Sequence, residues 1–347
     1  MKTALVAAVA ALSLAFTGSA LAAYTPHLSI THTPLTLAGG GSTDLTVSFD
    51  QADDATAKAT IYVPQGYTGT LGAAAGTQIG TIDASILVSQ ISPTQPLPLK
   101  GVIQTDDPSK YATQSTLCTG VATHDSAWLL RLQAAGTELA VPGYVDTVTA
   151  PTEAPLGKFK LQFCLPSPYI PQSAGGATFG AKLVSATLHL SNVFALPAQN
   201  GSYGWTVVAT PYTVGGAVPN AAGTMQAQAF VQLPAQLTLK AKVKKKTATL
   251  SGALRLNLAG LAGVKVSLLS GSSRTKLKAA GSTTTRSGGA FSFKKTVRKT
   301  TYFQAKVTVP TRSATCTGGV PNIPCASASA NGFTAQSAII KVAPKRR

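Results

Sequence analysis

The run Leu237-Thr238-Leu239-Lys240-Ala241-Lys242-Val243-Lys244-Lys245-Lys246 alternates two kinds of side chain. Leu237, Leu239, Ala241 and Val243 fall on one side of an extended chain and Lys240, Lys242 and Lys244 on the other, because successive Cβ atoms of a strand point to opposite faces. A helix would scatter both sets around its circumference. The run is therefore a β-strand with one face for a core and one for water, and the two further lysines open a turn.

The same period of two continues downstream. Val264, Val266 and Leu268 alternate with Lys265 and Ser267; Phe291 and Phe293 flank Ser292; Phe303, Ala305, Val307 and Val309 alternate with Gln304, Lys306 and Thr308. The turn residues Ser287-Gly288-Gly289 separate two of these segments, and a last strand is expected from Ala338 to Val342. Alternating strands divided by Gly-rich turns specify an antiparallel sheet with one buried face, the unit of a β-sandwich.

Upstream the pattern persists with a different charge. Leu28–Thr31, Leu45–Phe49, Ala59–Val63, Lys158–Phe163, Lys182–Leu190, Trp205–Ala209 and Gln226–Leu233 read as strands, and no segment sustains a 3.6-residue apolar period. The Pro-rich stretches Ser92–Pro98 and Pro166–Pro171 read as long loops. All 11 acidic residues lie between Asp44 and Glu153, whereas residues 236–347 hold 21 Lys and Arg and no acid. Residues 23–235 carry 7 basic residues against those 11 acids. So sharp a break in composition predicts two domains, 23–235 and 236–347, each long enough for its own core. The fold class expected is all-β: two immunoglobulin-like antiparallel β-sandwich domains, the N-terminal one larger and with long loops.

Residues 1–22 read as a secretory signal: Lys2, an apolar stretch from Ala4 to Phe16, then Ala20-Leu21-Ala22 as a small-x-small cleavage site. The stretch is shorter than the roughly 20 residues a spanning helix needs, so no transmembrane segment is expected after cleavage. Export favours disulfides among an even number of cysteines. Cys118, Cys164, Cys316 and Cys325 match no zinc spacing, and the composition break places two in each half, which pairs Cys118 with Cys164 and Cys316 with Cys325.

In the C-terminal half four motifs stand in order: Thr249-Leu250-Ser251-Gly252, Gly263-Val264-Lys265-Val266-Ser267-Leu268, Gly288-Gly289-Ala290-Phe291-Ser292-Phe293, and Thr301-Tyr302-Phe303-Gln304-Ala305. They resemble the immunoglobulin-like repeat domains of bacterial surface and secreted proteins. In that family a strand ending Ser-Gly precedes a Gly-Val-x-Val strand, a Gly-x-Phe hairpin and a Tyr-x-Ala strand. The resemblance implies a stalk, adhesion or accessory module and not a catalytic one. It covers about 110 residues, and Arg286 or Ser287 stands where the family commonly has Asp before the hairpin turn.

His124-Asp125-Ser126 holds the residue types of a hydrolase triad as sequence neighbours, and no Gly-x-Ser-x-Gly elbow accompanies it, so a polar turn is expected. His27 and His32 fall on opposite faces of one strand, and with His189 they read as surface histidines; no metal site and no cofactor is expected. Asp50, Asp53 and Asp54 offer oxygens near one another, but without the spacing of a calcium loop they read as a solvated turn. Trp128 and Trp205 read as core anchors.

The remaining signal is electrostatic. Lys240, Lys242, Lys244, Lys245, Lys246, Lys265 and Lys306 have no acid within the same half to neutralise them. Their mutual repulsion is offset by counterions or by an external polyanion, and for an exported protein the expected partner is an anionic cell-wall polymer or polysaccharide. No specific nucleic-acid partner is expected, since the half contains no recognisable binding module. The alternative is a carbohydrate-binding or hydrolytic N-terminal domain, in which two of the 11 acids would face each other about 5–9.5 Å apart across a cleft.

Overall fold

The computed structural model describes residues 24–134, 137–176, 180–233, 236–256 and 259–344; the expected signal segment, 1–22, lies outside them. Among the described residues the chain is all-β apart from one helix of eight residues and a few 3-10 turns. In chain order the first part runs β1 (His27–Thr33), β2 (Ser42–Ser48), β3 (Thr56–Val63), β4 (Thr68–Gly69), β5 (Gln78–Val88), β6 (Ser92–Asp106), the helix α1 (Ala112–Thr119), β7 (Ser126–Ala134), β8 (Thr137–Thr147) and β9 (Phe159–Cys164). It continues with β10 (Ala181–Ser191), β11 (Phe194–Ala195), β12 (Ser202–Pro211) and β13 (Met225–Gln232). The second part comprises β14 (Gln236–Leu237), β15 (Lys240–Lys244), β16 (Thr247–Leu256), β17 (Ala259–Gly260), β18 (Lys265–Gly271), β19 (Lys278–Thr284) and β20 (Ala290–Thr296). It ends with β21 (Thr301–Val309), β22 (Arg312–Ser313), β23 (Cys325–Ala330), β24 (Phe333–Gln336) and β25 (Ile340–Val342).

Thirteen strands form one sheet in the order β1-β2-β10-β5-β6-β7-β8-β9-β3-β12-β13-β23-β22. The sheet curls so that its inner face encloses a single apolar core, with Leu45, Ile61, Ile82, Ile103, Leu161, Leu190 and Val207 fully buried. Its two ends approach without closing. The hydroxyls of Ser327 and Ser329 on β23 donate to the carbonyls of Pro26 and Leu28, so side chains bridge a seam where a closed sheet would have a backbone ladder. The sheet has two distinct ends. At one, Trp205 lies against Tyr67 and Phe194 at centroid distances of 5.3 and 5.5 Å, and Phe194 against Trp128 and Phe159 at 6.3 and 6.2 Å. At the other, the turn after Val88, the segment after Cys164 and the segment after Pro211 come together.

The Pro-rich stretch Ser92–Pro98, expected as a loop, is the first half of β6. Beyond Lys100 that strand has neighbours on both sides, but among the described residues the proline-bearing half pairs only with β5, through Leu97↔Ile86 and Pro98↔Ser85. On a strand with one neighbour the missing N–H of proline need not break a ladder bond, and its fixed φ suits an extended chain. The stretch after Leu165 does remain outside the strands.

The second part builds two five-stranded sheets, β14-β16-β15 with β17 and β20, and β19-β18-β21-β24 with β25. Leu250, Leu254 and Phe291 from the first and Val266, Leu268, Ala305 and Val307 from the second meet in one core. Pairing does not respect the break in charge. After β21 the chain leaves this body, and β23 joins the thirteen-stranded sheet parallel to β13, with Ala227↔Ser327 and Ala229↔Ser329. The uniformly antiparallel expectation fails at this strand, because β23 reaches β13 from another body and not through a hairpin.

Both disulfides join the expected cysteines. Cys118–Cys164, with Cα atoms 5.7 Å apart, fastens α1 to the outer face of the large sheet. Cys316–Cys325, with Cα atoms 6.5 Å apart, closes the loop between β22 and β23.

Candidate polyanion-binding face

β15 and β16 form a hairpin across the two-residue turn Lys245-Lys246, with Lys245 at φ 55°. Pairing sets Lys240 opposite Ser251, Lys242 opposite Thr249 and Lys244 opposite Thr247. Ala248 and Leu250 on β16 are fully buried, so their neighbours Thr247, Thr249 and Ser251, and the three lysines beside them, share the outer face. On the far side of β16, Lys294 of β20 is opposite Thr249. One rung therefore reads Lys242, Thr249, Lys294, with the cations two strands, or about 10 Å, apart. The amide of Val297 donates to the carbonyl of Lys246 over 2.7 Å, which brings the exposed Arg298 and Lys299 beside the turn.

Five of the seven lysines singled out from sequence, Lys240, Lys242, Lys244, Lys245 and Lys246, thus form one face, together with Lys294, Arg298 and Lys299. Those three were missed, although Lys294 follows from the Phe291, Phe293 alternation. Lys265 and Lys306 do not join them. They lie on β18 and β21, pointing away from the buried Val266, Ala305 and Val307, on the outer side of the opposite sheet. The seven are not one site, because residues with the same in–out phase on two facing sheets point in opposite directions.

Among the described residues every ion pair lies in the first part: Lys100–Asp83, Lys110–Asp106, Arg131–Glu138, Lys160–Glu153 and the four pairs made by His27, His124 and His189 with aspartates, two of them by His189. Among the described residues no basic side chain after His189 meets a carboxylate. Lys295 turns inward instead and donates to the carbonyl of Ala280.

The other candidates assemble differently from their sequence reading. His124 is not paired with its neighbours. Its Nδ1 lies 2.9 Å from Asp146 on β8 and its Nε2 lies 3.2 Å from the Thr119 hydroxyl at the end of α1. This hydroxyl–imidazole–carboxylate chain comes from three elements, but the Thr119 hydroxyl is committed to the carbonyl of Ser115 at 2.8 Å and to the N–H of Val121 at 3.1 Å. Asp125 accepts from the N–H of Thr147, and Ser126 is buried. The side chain of His124 is only 1% exposed and lies against Tyr144 at a ring-centroid distance of 4.8 Å, so the residue read as part of a polar turn is a buried clasp.

His32 is buried as well, correcting the surface reading. Its Nδ1 lies 2.9 Å from Thr43 Oγ1 and its Nε2 3.2 Å from Tyr67 Oη. Burial among aromatic rings disfavours the imidazolium and lowers its pKa to about 4. Burial also pushes the Tyr67 phenol up. His27 and His189 remain exposed to water. His189 bridges Asp44 at 2.8 Å and Asp83 at 3.3 Å, and the hydrogen bond to Asp44 raises its pKa. Asp53 is buried, not solvated, and its carboxylate accepts from the N–H groups of Thr25 and Asp50 at 2.8 and 3.2 Å. Among the described residues no three His, Cys, Asp or Glu side chains are grouped to hold a metal ion. Trp128 and Trp205 are core residues, as expected.

No family model matches this chain, and no curated protein matches it. Among solved structures it is similar to a β-1,2-glucanase from Parabacteroides distasonis, at 11% sequence identity and a TM-score of 0.19, over 93% of this chain and 36% of that one. This chain spans about a third of that protein's length, and so slight a superposition carries no argument about fold or activity. No helix among the described residues is long and apolar enough to cross a membrane.

Proposed function

We propose that this is an exported, non-catalytic binding protein of the cell envelope, whose basic second part, an immunoglobulin-like sandwich, is held by charge to an anionic wall polymer or polysaccharide. One observation carries the reading: Lys240, Lys242, Lys244, Lys245, Lys246, Lys294, Arg298 and Lys299 share one face and its turn, in a half with no acid to pair them. Cations about 6.6 Å apart along a strand and about 10 Å apart across two strands lie near or within a Debye length at physiological salt, so they repel one another. A flexible polyanion laid along β15 replaces several small counterions at once. Releasing those ions favours binding and makes it depend steeply on salt.

Elution from intact cell envelopes in rising salt tests this. Release is expected by about 1 M, where the Debye length falls to about 3 Å. The double substitution Lys242→Glu and Lys244→Glu should shift release to lower salt, whereas Lys265→Glu with Lys306→Glu, on the opposite sheet, should shift it much less. Retention of the protein at high salt, or equal effects of the two pairs, would contradict the electrostatic face.

A further inference from the structure

The interior of the large sheet is filled unevenly. The end where the second part docks and Leu35 packs against both cores is plugged by the cluster of Trp128, Phe159, Phe194 and Trp205. Toward the other end the two faces of the sheet leave a cavity of about 70 Å³, lined only by apolar side chains. Phe49, Ala84 and Leu188 in its wall are buried, while Leu165, Leu183 and Ala186 are half-buried, so water reaches the wall from this side.

Three loops stand over that side, tied to one another and to the wall. Leu165 begins the segment that carries Tyr169, and its carbonyl accepts from Tyr212 Oη at 2.6 Å. Tyr212 in turn begins the loop of Val214 and Val218, whose Gly216 carbonyl accepts from Ser167 Oγ. The hairpin tip carrying Ile91 is joined by the Ser89 N–H to the carbonyl of Gly180, close to the start of β10 and Leu183. The exposed large apolar residues on these loops are Ile91, Tyr169, Val214 and Val218, at 64, 39, 79 and 66% exposure. One such residue on a surface is ordinary; four on three interlocked loops around an apolar interior are not explained by chance exposure.

We infer that this end of the sheet is a binding site for the aliphatic end of a single-chain amphiphile, which passes the rim of Ile91, Tyr169, Val214 and Val218 and seats its terminal carbons among Leu165, Leu183, Ala186 and Leu188. An apolar void holds no hydrogen-bond partner for water and is filled favourably by hydrocarbon. A volume of about 70 Å³ takes the last two or three carbons of the chain. The remaining methylenes lie along the rim, and a polar head stays in solvent. The part of the occupant that enters is small and apolar, which separates this site from the polyanion face on the other body.

The test is a titration with n-alkanols from methanol to hexanol, read by the methyl NMR signals of Leu183 and Leu188. Those methyls should shift, and affinity should rise about fourfold for each added methylene up to about the third and more gently beyond it, where the chain lies along the partly exposed rim. In Ala186→Leu the added side chain occupies the void and the shifts should vanish; if that variant does not fold, Ala84→Val supplies a smaller filling and should weaken binding several-fold. Unmoved methyls in the parent protein, or undiminished binding in a folded, filled variant, overturns the inference. Val214→Ser with Val218→Ser should leave propanol binding unchanged and weaken an octyl glycoside at least threefold. Equal affinity of that variant for the octyl glycoside overturns the placement of the entrance.

Discussion

His32 shows how one residue couples the core to pH. In the folded protein it gains a proton only near pH 4, whereas in the unfolded chain it does so near 6.5. Between these values the unfolded state binds more protons, so stability rises with pH through the window and is lost as pH falls. The full difference is on the order of 3 kcal/mol. Denaturant titrations from pH 4 to 7.5 should show this slope in the parent protein and lose most of it in His32→Asn. His189 has the opposite sign. Its raised value means a contribution present at low pH that disappears as pH climbs through the folded pKa, and its exposure keeps that contribution small. Lys245 offers a second residue-scale test. A non-glycine residue at φ 55° is strained by about 1 kcal/mol, so Lys245→Gly should leave the melting temperature unchanged or higher while lowering the salt concentration of release. A glycine variant that is released like the parent would remove Lys245 from the binding face. The sequence shows that His32 and His27 face opposite ways; it does not show which face is buried, because that depends on β1 lying beside β2 and β23.

At the scale of elements, the helix and its disulfide form a clasp on the outer face of the sheet. Lys58 Nζ donates to the carbonyl of Cys118 at 3.0 Å, Cys118 is bonded to Cys164, and the Thr119–His124–Asp146 chain secures the following turn. Partial burial in this joint lowers the Lys58 pKa. The bridge separates residues 46 apart in sequence and so contributes up to about 4 kcal/mol by loop entropy, against up to about 2–3 kcal/mol for Cys316–Cys325, where the separation is 9. Cys118→Ser with Cys164→Ser should therefore cost more stability than the matching pair at 316 and 325. Hydrogen exchange should show the loss of protection first at residues 112–124. A larger loss from the shorter loop would reverse the loop-entropy ordering. Both pairings and the strands β15, β18, β20, β21 and β25 of the second part were legible in the sequence, since period two and an even cysteine count are local signals; β19, β23 and β24 were not. The long strands β5 to β8 were not. Prolines at 93, 96 and 98 mask β6, and their tolerance depends on a neighbour being absent on one side, which only the assembled sheet reveals.

At the scale of the whole molecule, the return of β23 makes the first part depend on the second. β13 presents Gln226, Gln228 and Gln232 on its outer side, all buried. Gln226 donates to the carbonyls of Val320 and Ile323 at 3.1 and 2.6 Å and accepts from the N–H of Val320 at 2.9 Å. Gln228 accepts from the N–H of Thr317 at 2.8 Å and donates to its carbonyl at 3.1 Å. The N–H of Gln232 donates to Asn331 Oδ1 at 2.6 Å. Two side-chain amides thus hold the disulfide loop while β23 completes the ladder and its serines span the seam to β1. No composition signal announces this, since Cys325-Ala326-Ser327-Ala328-Ser329-Ala330 carries little hydrophobicity and lies beyond the break in charge. Without that segment β13 becomes a bare edge, its glutamines exchange their loop partners for water, and the seam opens. Residues 23–235 expressed alone should therefore aggregate or melt well below the same unit in the whole protein. An oxidised peptide spanning residues 311–332, added in trans, should bind the fragment and raise its melting temperature, and the reduced peptide should do so less. A fragment as stable as the intact chain and indifferent to the peptide would show that the first part is complete in itself.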